Sequence, residues 1–230
     1  MMNISKFLVS ISILFTSLVG CASMLQSASA DAYPDVWWQP VPKGEVVPGW
    51  EITPDKANRA GGEVILSKRN ELGLLSNFAA APFTLDGDNY ASIEGLWQAL
   101  KFPEGLDDER FKDPSVAWPF TRSQVMNMTA FDAKHAGEVG SANMKKLGIK
   151  WVTYKGERIY YSGADKDKHY QIMLRASRAK LESNQHIKDV LLSTKTLKLL
   201  PDHVQQPDAP PAYHYYDIYM KLRAEYQDAK

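Results

Sequence analysis

The chain has 230 residues, 27 Lys+Arg against 27 Asp+Glu, 44% hydrophobic residues and a single Cys. That apolar content, with 6 Trp, 11 Tyr and 8 Phe, excludes wholesale disorder. Zero formal charge excludes a broad nucleic-acid surface but leaves room for a small nucleotide pocket, and one Cys excludes both an intrachain disulfide and a Cys-rich zinc site.

The first element is an address. Residues 1–20 carry one charge, Lys6, followed by an apolar run from Phe7 to Val19 that Ser and Thr interrupt. The run is shorter than the ~20 residues a transmembrane helix needs, and it suits the apolar region of a secretory signal. Leu18-Val19-Gly20-Cys21 resembles the lipobox of bacterial lipoproteins, and the lone Cys falls where lipidation requires it. We therefore expect a lipoprotein signal peptide over residues 1–20 and acyl chains on Cys21 that hold the protein to a membrane of the cell envelope. Ala22 after the Cys favours the outer membrane, by resemblance to enteric sorting rules. An uncleaved anchor would equally leave the protein outside the cytoplasm.

Residues 21–61 read as a tether. Ser and Ala dominate its start, and Pro34, Pro40, Pro42, Pro48 and Pro54 then deny any helix or central strand. Trp37, Trp38 and Trp50 carry too much apolar area for a pure spacer. Two readings stand: the rings pack as a strap on the domain, or they form a stacking platform for a sugar or a partner.

The domain is expected over residues 62–230 as an α+β fold, mostly helical with a small sheet. Glu63 to Ser67 reads as a strand, and Pro82 to Leu85 as another ending at the turn pair Asp86-Gly87. Ser92 caps a helix that runs to about Phe102 before Pro103. Thr129 to Leu147 is helical in composition, as one helix or as two broken near Gly137 and Gly140. Trp151 to Tyr161 reads as a hairpin about Lys155-Gly156, Asp165 to Glu182 as a helix, and Asn184 as the cap of another. A last helix starts near Tyr213 with Tyr215, Tyr219, Leu222 and Tyr226 as its apolar stripe.

The chemistry gathers around the Ser92 helix. Ile93, Leu96 and Leu100 supply a buried stripe, and Glu94, Trp97, Gln98 and Lys101 a neighbouring one at i, i+3, i+4 and i+7. One face thus presents a carboxylate, an indole, an amide and an ammonium, which suits either an ordinary amphipathic helix or a site for a flat ring beside an acid. Leu75-Ser76-Asn77-Phe78, the Pro-Phe strand with its Asp-Gly turn, and Ser92-x-Glu94-x-x-x-Gln98-Ala99-x-Lys101-Phe102 occur in the order that resembles the NADAR/YbiA-like family. Met173 with Ala179-Lys180, Leu191-Leu192-Ser193-Thr194, and Ile218-Tyr219-Met220-Lys221-Leu222-Arg223 continue the resemblance in order, over roughly residues 75–223.

The resemblance implies a hydrolase of N-glycosidic bonds that acts on a ribosylated base, of the riboflavin-intermediate or ADP-ribosyl-guanine kind. It assigns Glu94 as the carboxylate that stabilises oxocarbenium charge or activates water, and Asp202, in a segment that differs from the family's, is the candidate second carboxylate. Lys101 and Lys180 match family lysines for phosphate or the leaving base, Trp97 is placed to stack a base, and Asn77 contacts sugar or orients Glu94. Phe78, Gln98 and His203 complete the expected substrate-binding set, His203 as an acid–base beside Asp202. The chain departs from the family at Gly95, where His is usual, and at Leu200-Pro201-Asp202-His203, which replaces an acidic and Trp-Gly segment. It also carries extra residues between Trp151 and Met173.

No cofactor is expected, and His135, His169, His186, His203 and His214 lack close metal-ligand spacing. Lys166-Asp167-Lys168-His169 reads as a solvated helix start. The leading expectation is an exported lipoprotein that cleaves an N-ribosyl bond. Its competitors are a non-catalytic binder of ADP-ribose or another nucleotide, and an envelope interaction module built on Trp37, Trp38 and the Tyr-rich last helix.

Overall fold

The computed structural model describes residues 33–206 and 208–229; the expected signal peptide and lipobox and the expected lipidation at Cys21 lie outside the described residues. Both turn pairs, Asp86-Gly87 and Lys155-Gly156, form hairpins. Strand β2 (Phe83–Leu85) pairs with β3 (Asp88–Tyr90), and β4 (Val152–Tyr154) with β5 (Glu157–Ile159), both antiparallel. Each two-residue turn needs positive φ twice, and Asp86-Gly87 (49° and 85°) and Lys155-Gly156 (52° and 78°) provide it. Strand β1 (Glu63–Ile65) runs parallel to a late strand that the sequence reading did not foresee, β6 (Lys198–Leu200). The pairing joins segments more than 130 residues apart in the sequence.

Helix α1 (Ile93–Ala99) is the centre of the domain. Ser92 Oγ accepts from the Gly95 N–H at 2.9 Å and donates to the Met128 carbonyl at 2.9 Å, while the Glu94 N–H donates to the Asn77 carbonyl at 2.9 Å. These bonds satisfy two of the open donors of the first turn and fix where Glu94 points. All seven residues of α1 are buried, so the stripe of Glu94, Trp97 and Gln98 is enclosed rather than solvated. Short helices α2 (Glu109–Lys112) and α3 (Arg122–Met126) follow, then α4 (Ala130–Lys146) as one continuous helix. Gly137 and Gly140 do not break α4; they let it approach α1. A β-carbon on Gly140 would stand 3.1 Å from the Lys101 β-carbon and from the Phe102 ring.

The C-terminal part consists of α5 (Lys166–Ser183), α6 (Gln185–Ser193) and α7 (Tyr215–Asp228). Asn184 does not cap α6 with its side chain; its amide donates instead to the Lys180 and Pro82 carbonyls, at 2.8 and 3.0 Å. The stripe of α7 enters the core at Tyr215, Tyr219 and Leu222. Arg223 is buried beside them and donates to Thr194 Oγ1 and the Leu197 carbonyl, so it closes the turn after α6.

The expected tether is corrected from Tyr33 onward. Trp37 is 1% exposed and donates to Glu71 at 2.6 Å, and Trp38 is buried and donates to the Glu63 carbonyl at 2.7 Å. A 3-10 turn over Asp35–Trp38 brings both indoles onto β1, so the compact unit begins at Tyr33 rather than at residue 62. Proline removes helix and ladder bonds here but does not prevent burial of aromatic area. With both rings in the core, the interaction module built on Trp37 and Trp38 loses its surface. Among the described residues no helix is long and apolar enough to cross a membrane.

Candidate active site

The loop after the 3-10 helix Glu71–Leu75, the face of α1, the start of α4, the interior of α5 and the loop before α7 enclose a cavity of about 1090 Å³. Glu94 lines it, 8% exposed, with Oε1 accepting from Gln98 Nε2 at 2.7 Å. No described residue gives a hydrogen bond or ion pair to Oε2. Burial pushes the Glu94 carboxyl above the ordinary carboxylate range, opposed by the Gln98 bond and by the charges of Lys101, Lys134 and Lys68. An enclosed carboxylate with one oxygen left open costs folding energy, and such groups cluster where ligands are handled.

The lysine expectations divide. Lys101 lines the cavity, donates to Ser141 Oγ at 2.9 Å, and is pushed down to about 8 by burial, with Glu94 opposing. Lys180 does not line the cavity. It is fully buried, donates to the Ser76 carbonyl at 2.9 Å, and burial pushes it down to about 7. It therefore braces the Ser76-Asn77 loop from behind, and its place as a substrate contact is corrected. Lys68 and Lys134, which no motif singled out, are the further cations on the cavity wall.

Asp202 is likewise behind the wall. One carboxylate oxygen is ion-paired with Lys68, and the other accepts from His203 Nδ1 at 2.9 Å and faces the Tyr215 hydroxyl at 3.4 Å. Burial works to raise this carboxyl, but His203 and Lys68 outweigh it and hold it below its ordinary value. Both oxygens are committed, so Asp202 positions Lys68 and His203 and does not itself face the cavity. His203 does line it, with its other ring nitrogen 2.9 Å from Gln205 Nε2.

Asn77, Phe78, Trp97 and Gln98 all line the cavity, and the tryptophan is already packed against other rings there. Its ring is 7% exposed and already stacked on His169 at 4.4 Å and 27°, with Tyr161 and Tyr213 edge-on. One of its faces is thus taken by His169, and the Lys101 ammonium lies 5.3 Å from the ring centre. His169 is itself corrected: its charged neighbours are solvated, but its ring is 1% exposed and burial pushes it down to about 4, so it is neutral. Asn77 Oδ1 and Gln98 Oε1 are buried without hydrogen-bond partners.

Gly95 is explained by what lies behind α1. A β-carbon there would come 2.5 Å from the Met128 carbonyl oxygen and 3.1 Å from those of Met126 and Val125. Any larger residue at this position would face that backbone, not the cavity. Among the described residues no group of three metal-ligating side chains converges.

The chain is 27% identical over 136 residues to N-glycosidase YbiA of Shigella flexneri serotype 5b (strain 8401), and equally to that of Shigella flexneri. The alignment covers 58% of this chain, and the chain spans about 65% of the length of those relatives. The similarity supports a NADAR/YbiA-like chain. No family model matches. The NMR structure of the E. coli protein YbiA is similar at a TM-score of 0.45 and 21% identity, covering 73% of this chain and 90% of that one. Helix α1 and the turn after it carry Glu94, Gln98 and Lys101 to one cavity, while Lys180 and Asp202 stand behind its wall as braces.

Proposed function

We propose that the chain hydrolyses the N-glycosidic bond between a ribose and a base in a small nucleotide-like substrate. The observation that carries this is Glu94 Oε2, an unpaired carboxylate oxygen inside a large cavity whose wall also holds the cations Lys68, Lys101 and Lys134. The similarity to N-glycosidase YbiA supports the same reading. In the reaction, the C1′–N bond breaks as positive charge develops on the sugar, and the Glu94 carboxylate stabilises that charge. A water adds its oxygen to C1′, and its proton leaves through Glu94 or solvent while the departing nitrogen gains one. Lys101, with its proton affinity lowered to about 8, is a donor suited to the leaving nitrogen or to a phosphate. Substrates of the riboflavin-intermediate and ADP-ribosyl-guanine kinds both fit this chemistry.

Incubating the protein over residues 33–230 with a panel of ribosylated bases, and reading free base by chromatography, tests the proposal. Release of base with at least one member supports it; no release with any member removes it. A second reading, a non-catalytic binder of ADP-ribose or another nucleotide, is favoured by the commitment of both Asp202 oxygens to Lys68 and His203. Calorimetry that shows binding without any base release would select that reading.

The site works, in this proposal, outside the cytoplasm. The signal-like run of residues 1–20 and the lone Cys21 support export and lipid anchoring in the cell envelope. Mass analysis of the mature N-terminus tests this, with an acylated Cys21 as the expected result.

A further inference from the structure

Trp97 is stacked on His169, whereas Trp50 and Phe131 on the same cavity wall are exposed. Trp50 is 48% exposed and comes from the proline-rich strap, outside every motif that led to the site. Its neighbours are pinned. Glu51 receives a two-pronged bond from Arg69 at 2.5 and 2.7 Å, the Ile52 N–H donates to the Asp202 carbonyl at 2.8 Å, and Glu51 bridges His203. The indole is thereby held on the cavity wall by the same short segment that holds Lys68. The Lys68 ammonium, tied to Asp202, lies 5.7 Å from the centre of the Trp50 ring and 5.4 Å from that of Phe78, and its charge acts on Glu94.

From this geometry we propose that Trp50 is the stacking residue for a planar heteroaromatic ring of the substrate, with Lys68 taking an anionic arm such as a phosphate beside it. The inference rests on the nucleotide-like substrate class proposed above and adds the residue that reads its ring. A half-exposed indole has no folding role that requires its exposure. The cavity, at about 1090 Å³, exceeds the usual range for a drug-sized ligand, so it has room for an outer ring and an inner reacting centre. Stacking on an indole tolerates many rings, and a neighbouring ammonium selects those that carry negative charge.

Calorimetric titration of the protein, Trp50→Ala and Trp50→Phe with AMP and with ribose 5-phosphate tests it. The two probes share the phosphate and differ in the ring. AMP should bind about 5–150-fold more tightly than ribose 5-phosphate, the range that base–aromatic stacking supplies. Trp50→Ala should remove that advantage and leave ribose 5-phosphate unchanged, and Trp50→Phe should keep most of it. Equal affinity of the two probes, no binding of AMP, or an equal loss of both in Trp50→Ala would overturn the inference. Base release is read separately: ring-selective binding that depends on Trp50 without base release leaves the inference standing and removes the hydrolase. Base release with an unchanged KM in Trp50→Ala does the reverse.

Discussion

Gly137 and Gln98 meet so closely that a β-carbon on the glycine would lie 1.8 Å from Gln98 Oε1. The amide is wedged between α1 and α4, and from that seat its Nε2 donates to Glu94. The glycine on one helix thus fixes the carboxylate on another through the end of a side chain that neither helix constrains alone.

Gly137→Ala should therefore displace the amide without unfolding the protein, because the obstructing atom is the tip of a flexible side chain. Glu94 would lose its donor, and its carboxyl would rise further, since the bond that favours its charged form is gone. The check is a base-release assay over pH: the acid limb of the profile should move to higher pH while the melting temperature changes little.

Gly95 is the opposite case, because its obstacle is backbone. Gly95→Ala drives a methyl group against the Met128 carbonyl at 2.5 Å, and overpacking of this kind costs about 1–3 kcal/mol. Denaturant unfolding should show that loss. Gly95→His should be worse and should not add activity.

The strap is a structural part of the domain, so it should be costly to damage. Trp37→Ala removes a ring that is 1% exposed and should lower stability by about 3–5 kcal/mol. A protein truncated before residue 62 should unfold more readily for the same reason. A freely swinging tether would show neither effect.

The α1 block, both hairpins and the main helices were legible because their signals are local. Ser92 precedes its apolar run, and Asp86-Gly87 and Lys155-Gly156 supply the conformation that two-residue turns demand. What was not legible depends on partners far away in the chain. The proline spacing around Trp37 and Trp38 denies regular structure but does not report burial, which β1 decides. Lys166, Asp167 and Lys168 are solvated, yet the next residue, His169, turns inward by one helical step and finds Trp97. Lys180 and Asp202 lie at motif positions, but only the tertiary structure shows one capping the Ser76 carbonyl and the other tethering Lys68. Trp50 lies more than forty residues before Glu94 and reaches the same cavity only through the Asp202-His203 segment.

Lys180 should leave a signature in the pH dependence of stability. Burial pushes it down to about 7, against roughly 10.4 in an unfolded chain. Between those values the unfolded state binds more protons, so folding stability rises with pH through that window. In Lys180→Met the rise attributable to this group should vanish, whatever the absolute stability, and unfolding curves at pH 7 and pH 9.5 measure it.

Glu94 carries the opposite sign. Its folded carboxyl lies above the ordinary value of about 4.3, so the folded state holds its proton longer and stability falls as pH rises past that point. Glu94→Gln should therefore melt higher than the parent at pH 7, and the advantage should shrink in acid. A residue retained for packing would not be improved by removing its charge.

The most direct measurement compares single-turnover base release by the parent protein and Glu94→Gln, with ligand affinity determined on both. The account predicts a fall in rate of about 10²–10⁴-fold with affinity nearly kept, since Gln preserves the Gln98 contact but not the charge. Equal rates in the two proteins would contradict it.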